Sequence, residues 1–480
     1  MSPIAIILTI AGYIALLFAV ARYAARNTTS ATFFTGGRAT PRIVAAIAMV
    51  GAAMSGVTYI SVPGTVAADG FSYLQTCLGF FVGYAVIAFV LLPLYYRLGV
   101  VSLYEYLDHR FGIVAHRTGA WFFFVAKIAS ASLRAYVVCV VLQGLLFDKY
   151  DIPFVVNAAL MMALVWLYTQ RGGVRSVVWV EMLKTIVMVA SIVLAIVFVV
   201  DALGMGFGEA VSAIAQSDYS NALFLDNPLD RRYFWKQFVS GIFLVVAMTG
   251  LDQDMMQTML SCRNRGDAQR GIMTSIVIQI VVIILFLSLG ALLYIYAANR
   301  GIEAQGDALF GYVAIESGLP IIVGVLFLVG LVASTYSSAG SALTALTTSF
   351  TLDILRGGDD APEKMERKRK VAHAAIAVVM ALIIATFNAF SSKGAITLIF
   401  TMASYTYGPL LGMFAFGLLT KRTPRPWIVP IVAIAAPVIS YIIASNSVAW
   451  FCGYEFSYEV LIVNGALCFV GLLLGSKKSR

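Results

Sequence analysis

Residues 46–64 read AIAMVGAAMSGVTYISVPG, and residues 241–260 read GIFLVVAMTGLDQDMMQTML. Each belongs to an apolar run long enough to cross a bilayer, yet small and polar residues fall in mid-run. These are Gly51, Ser55, Gly56, Thr58 and Pro63 in the first, and Gly250, Asp252 and Asp254 in the second. Backbone that leaves a helix at membrane depth is tolerated only where protein or a polar cavity surrounds it. Two such interruptions at matching places in two halves of a chain point to a carrier built from inverted repeats, with its site near the midplane. Close packing through small residues is the competing explanation for either stretch alone.

Outward from these stretches, apolar runs of roughly 18 to 25 residues recur along the chain. About thirteen transmembrane helices are predicted, at 3–24, 41–66, 72–98, 117–147, 152–171, 175–201, 236–260, 268–298, 318–352, 369–390, 395–420, 425–446 and 455–475. Barrel strands would be half that length, so the fold class is an all-α integral membrane protein. The interrupted spans are the second and the seventh. The expected organisation is therefore a peripheral helix and cytoplasmic loop (1–40), a first repeat of five helices (41–201), an external loop (202–235), a second repeat (236–422), and two peripheral helices with a cytoplasmic tail (423–480). With 480 residues, 60% of them apolar, 12% charged and a mean hydropathy of +0.89, the chain lies outside the range of soluble domains.

Lys and Arg favour the cytoplasmic side in short loops. One alternating set of loops holds Arg22, Arg26, Arg38, Arg42, Arg97, Arg110, Arg117, Arg171, Arg175, Arg263, Arg265, Arg270, the 356–370 cluster, Lys421, Arg422, Arg425 and the tail residues Lys477, Lys478 and Arg480. The other set holds Lys149, Arg231, Arg232, Lys236, Arg300 and Lys393. The amino terminus is expected outside and the carboxyl terminus in the cytoplasm of a bacterial inner membrane. The first run lacks a basic start and is followed by Arg22 and Arg26, as suits a retained anchor. The net charge of +9 has the same topological origin and is no nucleic-acid footprint. Five scattered cysteines and the histidines His109, His116 and His373 form no metal or redox pattern.

Ionisable residues within spans mark a polar interior, because each is costly in hydrocarbon unless paired or hydrated. They are Lys127, Arg134, Glu181, Lys184, Asp252 and Asp254. Lys127 and Lys184 either snorkel to an interface or belong to that interior. Glu181 either lines a cation exit route or forms a salt bridge with Lys184 or another base. Residues 332–350, VASTYSSAGSALTALTTSF, repeat Ser334, Ser337, Ser338 and Ser341 at three- and four-residue spacing, which aligns them on one helix face. Hydroxyl and carbonyl oxygens suit an alkali cation, although serines also bond back to their own helix.

SLYEYLDHRFG at 102–112, LYTQRGGVRSVVWVE at 167–181, SSAGSALTALTTSFTLDI at 337–354 and YGPLLGMFAFGLLTKR at 407–422 occur in that order. With them the chain resembles the sodium:solute symporter family over nearly its whole length. That family includes the bacterial proline, galactose and sialic acid symporters and the animal sodium/glucose and iodide carriers. The resemblance implies a LeuT-like five-plus-five inverted repeat with two discontinuous helices. It implies a sodium ion held by backbone carbonyls of Gly51, Met54 and Ser334 and by hydroxyls of Ser337 and Ser338. Glu181 and Ser341 match part of a second ion position, where Gly340 lacks a hydroxyl and Glu181 is longer than the family's aspartate. Ser55, Thr58, Gln75, Asp252, Gln253 and Thr401 are the implied substrate neighbours. Arg134 lies near the carboxylate-binding arginine of the sialic acid carrier, and Met248 replaces the inner-gate tyrosine of sugar carriers.

The expected activity is sodium-coupled import of a small organic solute, a sugar, sialic acid or other small organic anion, by alternating access. Its partners are the solute, the sodium ion and the lipid bilayer, and a monomer is expected. A channel would need a continuous pore and a filter repeat. A sensor would bind the solute without moving it. Proton coupling through Glu181 or Asp252 is the other carrier reading. An enzyme would need a nucleophile with a base or a metal set, and neither is visible.

Overall fold

The computed structural model describes residues 3–26, 32–355, 360–390 and 395–477, with the backbone alone at 171–172, 389–390 and 395–400. Lys393, Lys478, Arg480, residues 356–359 of the basic loop and the Arg171 side chain therefore lie outside the described residues.

Apolar periodicity without polar faces gives long helices buried in one another or in lipid. Among the described residues, eight helices are long and apolar enough to span a membrane, or ten when each of two bent pairs counts as one span. Shorter apolar helices include Phe154–Gln170, Gly408–Leu419 and Val460–Leu474. Arg265–Arg300 has 36 residues, so at ~1.5 Å per residue it extends beyond a hydrocarbon core of ~30 Å. The 202–235 segment, read as a loop, contains the helix Phe207–Gln216. The only strand pairing among the described residues is a two-residue ladder tying Thr423–Pro424 to Ser476–Lys477.

Two expected boundaries look different in the fold. The spans at 152–171 and 175–201 follow one another within Phe154–Ala202, where Gly173 departs from helical geometry at φ 50, ψ −147. A Cβ at Gly173 would run into the Phe33 carbonyl, so both the turn and the close approach need glycine. The run at 395–420 divides at Tyr407 into Ala395–Thr406 and Gly408–Leu419, because Pro409 cannot donate into a continuing helix.

Both interruptions read from the sequence are real breaks. Arg42–Ala53 and Gly56–Gly64 meet at 61°, and Phe234–Gly250 and Gln253–Leu260 meet at 68°. Around them stand three helices. Ile113–Leu142 carries Lys127 and Arg134, the kinked Phe154–Ala202 carries Glu181 and Lys184, and Ile321–Ile354 carries the serines. The serine helix packs along the kinked helix, and Tyr168 of the kinked helix donates to the Tyr336 carbonyl at 2.7 Å. Beyond the first break, Tyr59 is fully buried against Phe286, Phe310 and Phe327 and shares a 3.0 Å hydrogen bond with Ser191. At the far end of the serine helix, Asp353 accepts from Ser102 and Ser349, each at 2.8 Å, and lies 2.9 Å from His116 Nε2. The 102–112 motif is thereby fastened to the same helix that presents the serines.

Candidate functional site

At the first break, Met54 and Ser55 adopt extended backbone (ψ 124 and ψ 178), leaving the last carbonyls of Arg42–Ala53 without helical partners. The Gly51 carbonyl accepts from Met54 N at 3.1 Å and from Lys184 Nζ at 2.5 Å. Lys184 also donates to Ser338 Oγ at 2.7 Å and to Glu181 Oε2 at 3.1 Å. A lysine ammonium has three donors, and all three are used here. Lys184 and Glu181 are both fully buried. The salt-bridge reading of Glu181 therefore holds, while neither Glu181 nor Lys184 reaches an interface.

This crowding explains Gly51. A Cβ there would lie 2.7 Å from the Glu181 carbonyl oxygen and 2.9 Å from Glu181 Oε2. Ser338 Oγ donates to the Ser334 carbonyl at 2.8 Å, and Ser334 Oγ donates to Leu331 at 2.9 Å. Ser337 Oγ lies beside the Glu181 carboxyl without a well-formed hydrogen bond to it. Neither that hydroxyl nor Glu181 Oε1 has another partner among the described residues.

At the second break, Asp252 caps the following half-helix, accepting from Asp254 N at 2.9 Å and Met255 N at 3.4 Å. Its carboxylate also accepts from Tyr407 at 2.5 Å and faces Lys127 Nζ at 3.1 Å. Lys127 reaches Asp254 Oδ2 at 2.7 Å, and Asp254 accepts from Ser341. The carbonyls released by the break are also taken, Gly250 by Tyr95 and Leu251 by Tyr104, each at 2.9 Å. Every strong polar group of this turn thus has a protein partner.

Between the two breaks lie two small cavities. One, about 20 Å³, is bordered by Ser55, Gly56, Lys127, Arg134, Asp254 and Ser338. The other, about 70 Å³, is bordered by Tyr73, Phe80, Tyr84, Arg134, Met248 and Gln279. Arg134 borders both. It lies seven residues after Lys127 and hence on the same helix face, is half-buried, and has no ion-pair or hydrogen-bond partner among the described residues. The smaller space suits one water-sized particle, since a water needs ≳ 10–15 Å³ by this measure.

Of the residues singled out in the sequence, the fold gathers Gly51, Met54, Ser334, Ser337, Ser338 and Glu181 at the first break, and Ser55 and Arg134 at the cavity beside it. Thr58 Oγ1 accepts from Ser55 N at 3.3 Å. Ser341 and Asp252 belong to the second break. Gln253 points away, accepting from Leu103 N at 2.9 Å and donating to the Val101 carbonyl at 2.8 Å. Gln75 donates to the Arg232 carbonyl at 2.8 Å and accepts from Phe224 N at 3.0 Å, so its amide pins the 202–235 segment. Thr401 borders a separate vestibule of about 310 Å³ with Asp69, Arg231, Arg232 and Glu455. These last three residues are not brought to the cavities at Arg134. Sequence reasoning missed the contacts of Lys184 with Gly51 and Ser338, two of the residues expected to hold sodium, and the roles of Tyr95, Tyr104 and Tyr407. The spacing of Glu181 and Lys184, three residues apart, was the only available signal for the first.

Comparison with known proteins identifies the family and the fold. The sodium:solute symporter family profile matches residues 33–426. The sodium/sialic acid symporter SiaT of Proteus mirabilis is 23% identical over 86% of this chain and 84% of its own length. The human sodium/iodide cotransporter is 24% identical, and mouse sodium-coupled monocarboxylate transporter 1 is 26% identical, each over 82% of this chain. The chain spans 62% and 64% of the lengths of those two animal relatives. A solved outward-open, substrate-bound sodium-coupled sialic acid symporter superposes with a TM-score of 0.82 at 18% identity, covering 99% of each chain. A nucleobase-cation-symport-1 family transporter superposes with a TM-score of 0.60 at 14% identity, covering 92% of each. These likenesses place the fold among all-α, multi-span, LeuT-like membrane proteins. With the profile covering most of its length, this chain belongs to the sodium:solute symporter family.

Proposed function

We propose that this protein imports a small organic anion with sodium, and that Arg134 receives the anionic group. Membership in the sodium:solute symporter family makes it a sodium-coupled secondary transporter and not an enzyme. The single observation that carries the anion reading is Arg134, a half-buried guanidinium at two cavities with no acid of its own, while Lys127 two turns earlier has two. An intramembrane charge is costly unless paired, and a bound carboxylate supplies the pair. Arg presents donors that match a carboxylate bidentately. Relatives named for sialic acid, iodide and monocarboxylates lend further support. Tyr73, Phe80, Tyr84 and Met248 offer the apolar body of a short organic acid its contacts.

The topology in this reading is thirteen helices arranged as a five-plus-five inverted repeat, 41–201 and 236–422. Residues 1–40 and 423–480 are peripheral and 202–235 external, and the amino terminus lies outside a bacterial inner membrane. Sodium is held by Gly51, Met54, Ser334, Ser337 and Ser338, with Glu181 and Ser341 toward a second position, while Ser55 and Thr58 adjoin the solute. Solute and ion each favour the closed form, and by linkage a tenfold mutual tightening equals about 1.4 kcal/mol of coupling, acting equally on both. A membrane potential of about 100 mV adds about 2.3 kcal/mol per charge entering.

The test is uptake into proteoliposomes under an imposed sodium gradient, against a panel of sugars, amino acids, sialic acids and small carboxylates. Accumulation of an organic acid, abolished by collapsing the gradient, is expected. Binding without accumulation would make the chain a sensor, non-saturating flux a channel, and uptake driven equally by a proton gradient alone a proton-coupled carrier. Accumulation of a neutral sugar only would remove Arg134 from the proposed role.

A further inference from the structure

We infer that Lys184 is a tethered competitor of sodium at the first break, a built-in cation that must leave its seat before the ion can bind. This inference rests on the sodium-coupled reading above. The seat consists of the Gly51 carbonyl at 2.5 Å, Ser338 Oγ at 2.7 Å and Glu181 Oε2 at 3.1 Å. Two of these three oxygens are the ones assigned to sodium. One carbonyl and one hydroxyl cannot face an ammonium and a sodium ion together, because both cations approach along the same lone pairs and repel each other strongly in a site removed from water. Lys184 is fully buried, so solvent does not screen its charge in this position.

A second observation shows where the ammonium goes. Glu181 Oε1 and Ser337 Oγ are buried oxygens, Ser337 lies beside the Glu181 carboxyl, and neither oxygen has a well-formed hydrogen bond. Unsatisfied buried oxygens are uncommon and call for a reason. Lys184 already holds the other oxygen of the same carboxylate. A small rotation of its flexible stem therefore carries Nζ from Gly51 and Ser338 to Oε1 and Ser337 without breaking the ion pair. Glu181 acts as the pivot, and the vacated carbonyl and hydroxyl become available to sodium. Sodium affinity is thereby set by the difference between two seats of one lysine, and the carrier closes its ion site with its own side chain when sodium is absent.

The experiment measures sodium-dependent thermal stabilisation of the detergent-purified protein in sodium–choline mixtures of constant ionic strength. Lys184→Met is expected to lower the half-effective sodium concentration by about tenfold or more, and Lys184→Arg to leave it high. Because Lys184→Met strands the Glu181 carboxylate, the double variant Lys184→Met/Glu181→Gln is measured beside it. Half-effective concentrations within twofold of the wild type in whichever of these variants folds would overturn the inference. A cryo-EM map of the wild type in saturating sodium decides without substitution. Nζ displaced from Gly51 toward Glu181 Oε1 is expected, and Nζ still on Gly51 with the ion elsewhere overturns the inference. If sodium neither stabilises the wild type nor drives its uptake, the sodium-coupled reading itself fails. If it does both while Lys184→Met changes nothing, only the competitor role fails.

Discussion

The two broken helices solve the same problem in opposite ways. At the second, the freed Gly250 and Leu251 carbonyls are capped by Tyr95 and Tyr104, and the Asp252 and Asp254 carboxylates enclose Lys127. That turn is saturated and fixed. At the first, the Gly51 carbonyl is held by a lysine whose partner carboxylate has an oxygen to spare, next to a serine hydroxyl that also lacks a well-formed bond. In the reading proposed above, that turn can exchange partners. The difference teaches that a helix break is not by itself an ion site. What matters is whether the released oxygens are already committed.

The contrast is broken most severely at Lys127. Lys127→Met would leave two carboxylates buried without a counter-charge, and removing one partner of a buried pair costs about 3–5 kcal/mol. The expected result is loss of most monodisperse protein in size-exclusion chromatography. A stable, transporting Lys127→Met would mean the second break is not a fixed element.

Arg134→Ala is expected to leave folding intact and weaken uptake of an organic acid about 10- to 100-fold, as loss of a charged hydrogen bond worth about 1.5–3 kcal/mol implies. Neutral solutes, if any are carried, should be unaffected, and an unchanged KM for the acid removes Arg134 from the site.

The paired glycines sharpen the comparison. In Gly51→Ala the added methyl meets the Thr185 hydroxyl and the Glu181 backbone oxygen, the latter at 2.7 Å, whereas in Gly250→Ala it meets only side-chain carbons, Leu91 Cδ1 at 2.7 Å and Ile87 Cγ1 at 2.9 Å. Overpacking costs typically about 1–3 kcal/mol, with the larger figure expected where backbone must move. Gly51→Ala should therefore lower thermal stability and sodium response more than Gly250→Ala. Equal effects would show that close approach is not special to the first break.

The smallest effect is expected from Tyr407→Phe, which removes one hydrogen bond to an aspartate that keeps its lysine. A loss of about 1.5 kcal/mol in denaturant titration, the low end for a hydrogen bond to a charged group because the aspartate keeps its lysine, with transport retained, is the anticipated outcome. A larger one would make Tyr407 part of the pairing itself.

The sequence by itself determined the membrane class, the two breaks and the serine face. Each depends on local features, namely run length, helix-breaking residues and three- and four-residue spacing. The four quoted motifs, being local strings, likewise sufficed for the family. Only the tertiary structure decided which oxygens are free. Gln75 and Gln253 look like solute ligands in the chain yet spend their amides on backbone 149 and more residues distant. Lys184, readable as Glu181's neighbour, proves to reach a carbonyl 133 residues away. The physical reason is that a polar side chain in a membrane interior is defined by its partner. Partners brought together from distant helices leave no trace in the spacing of either one.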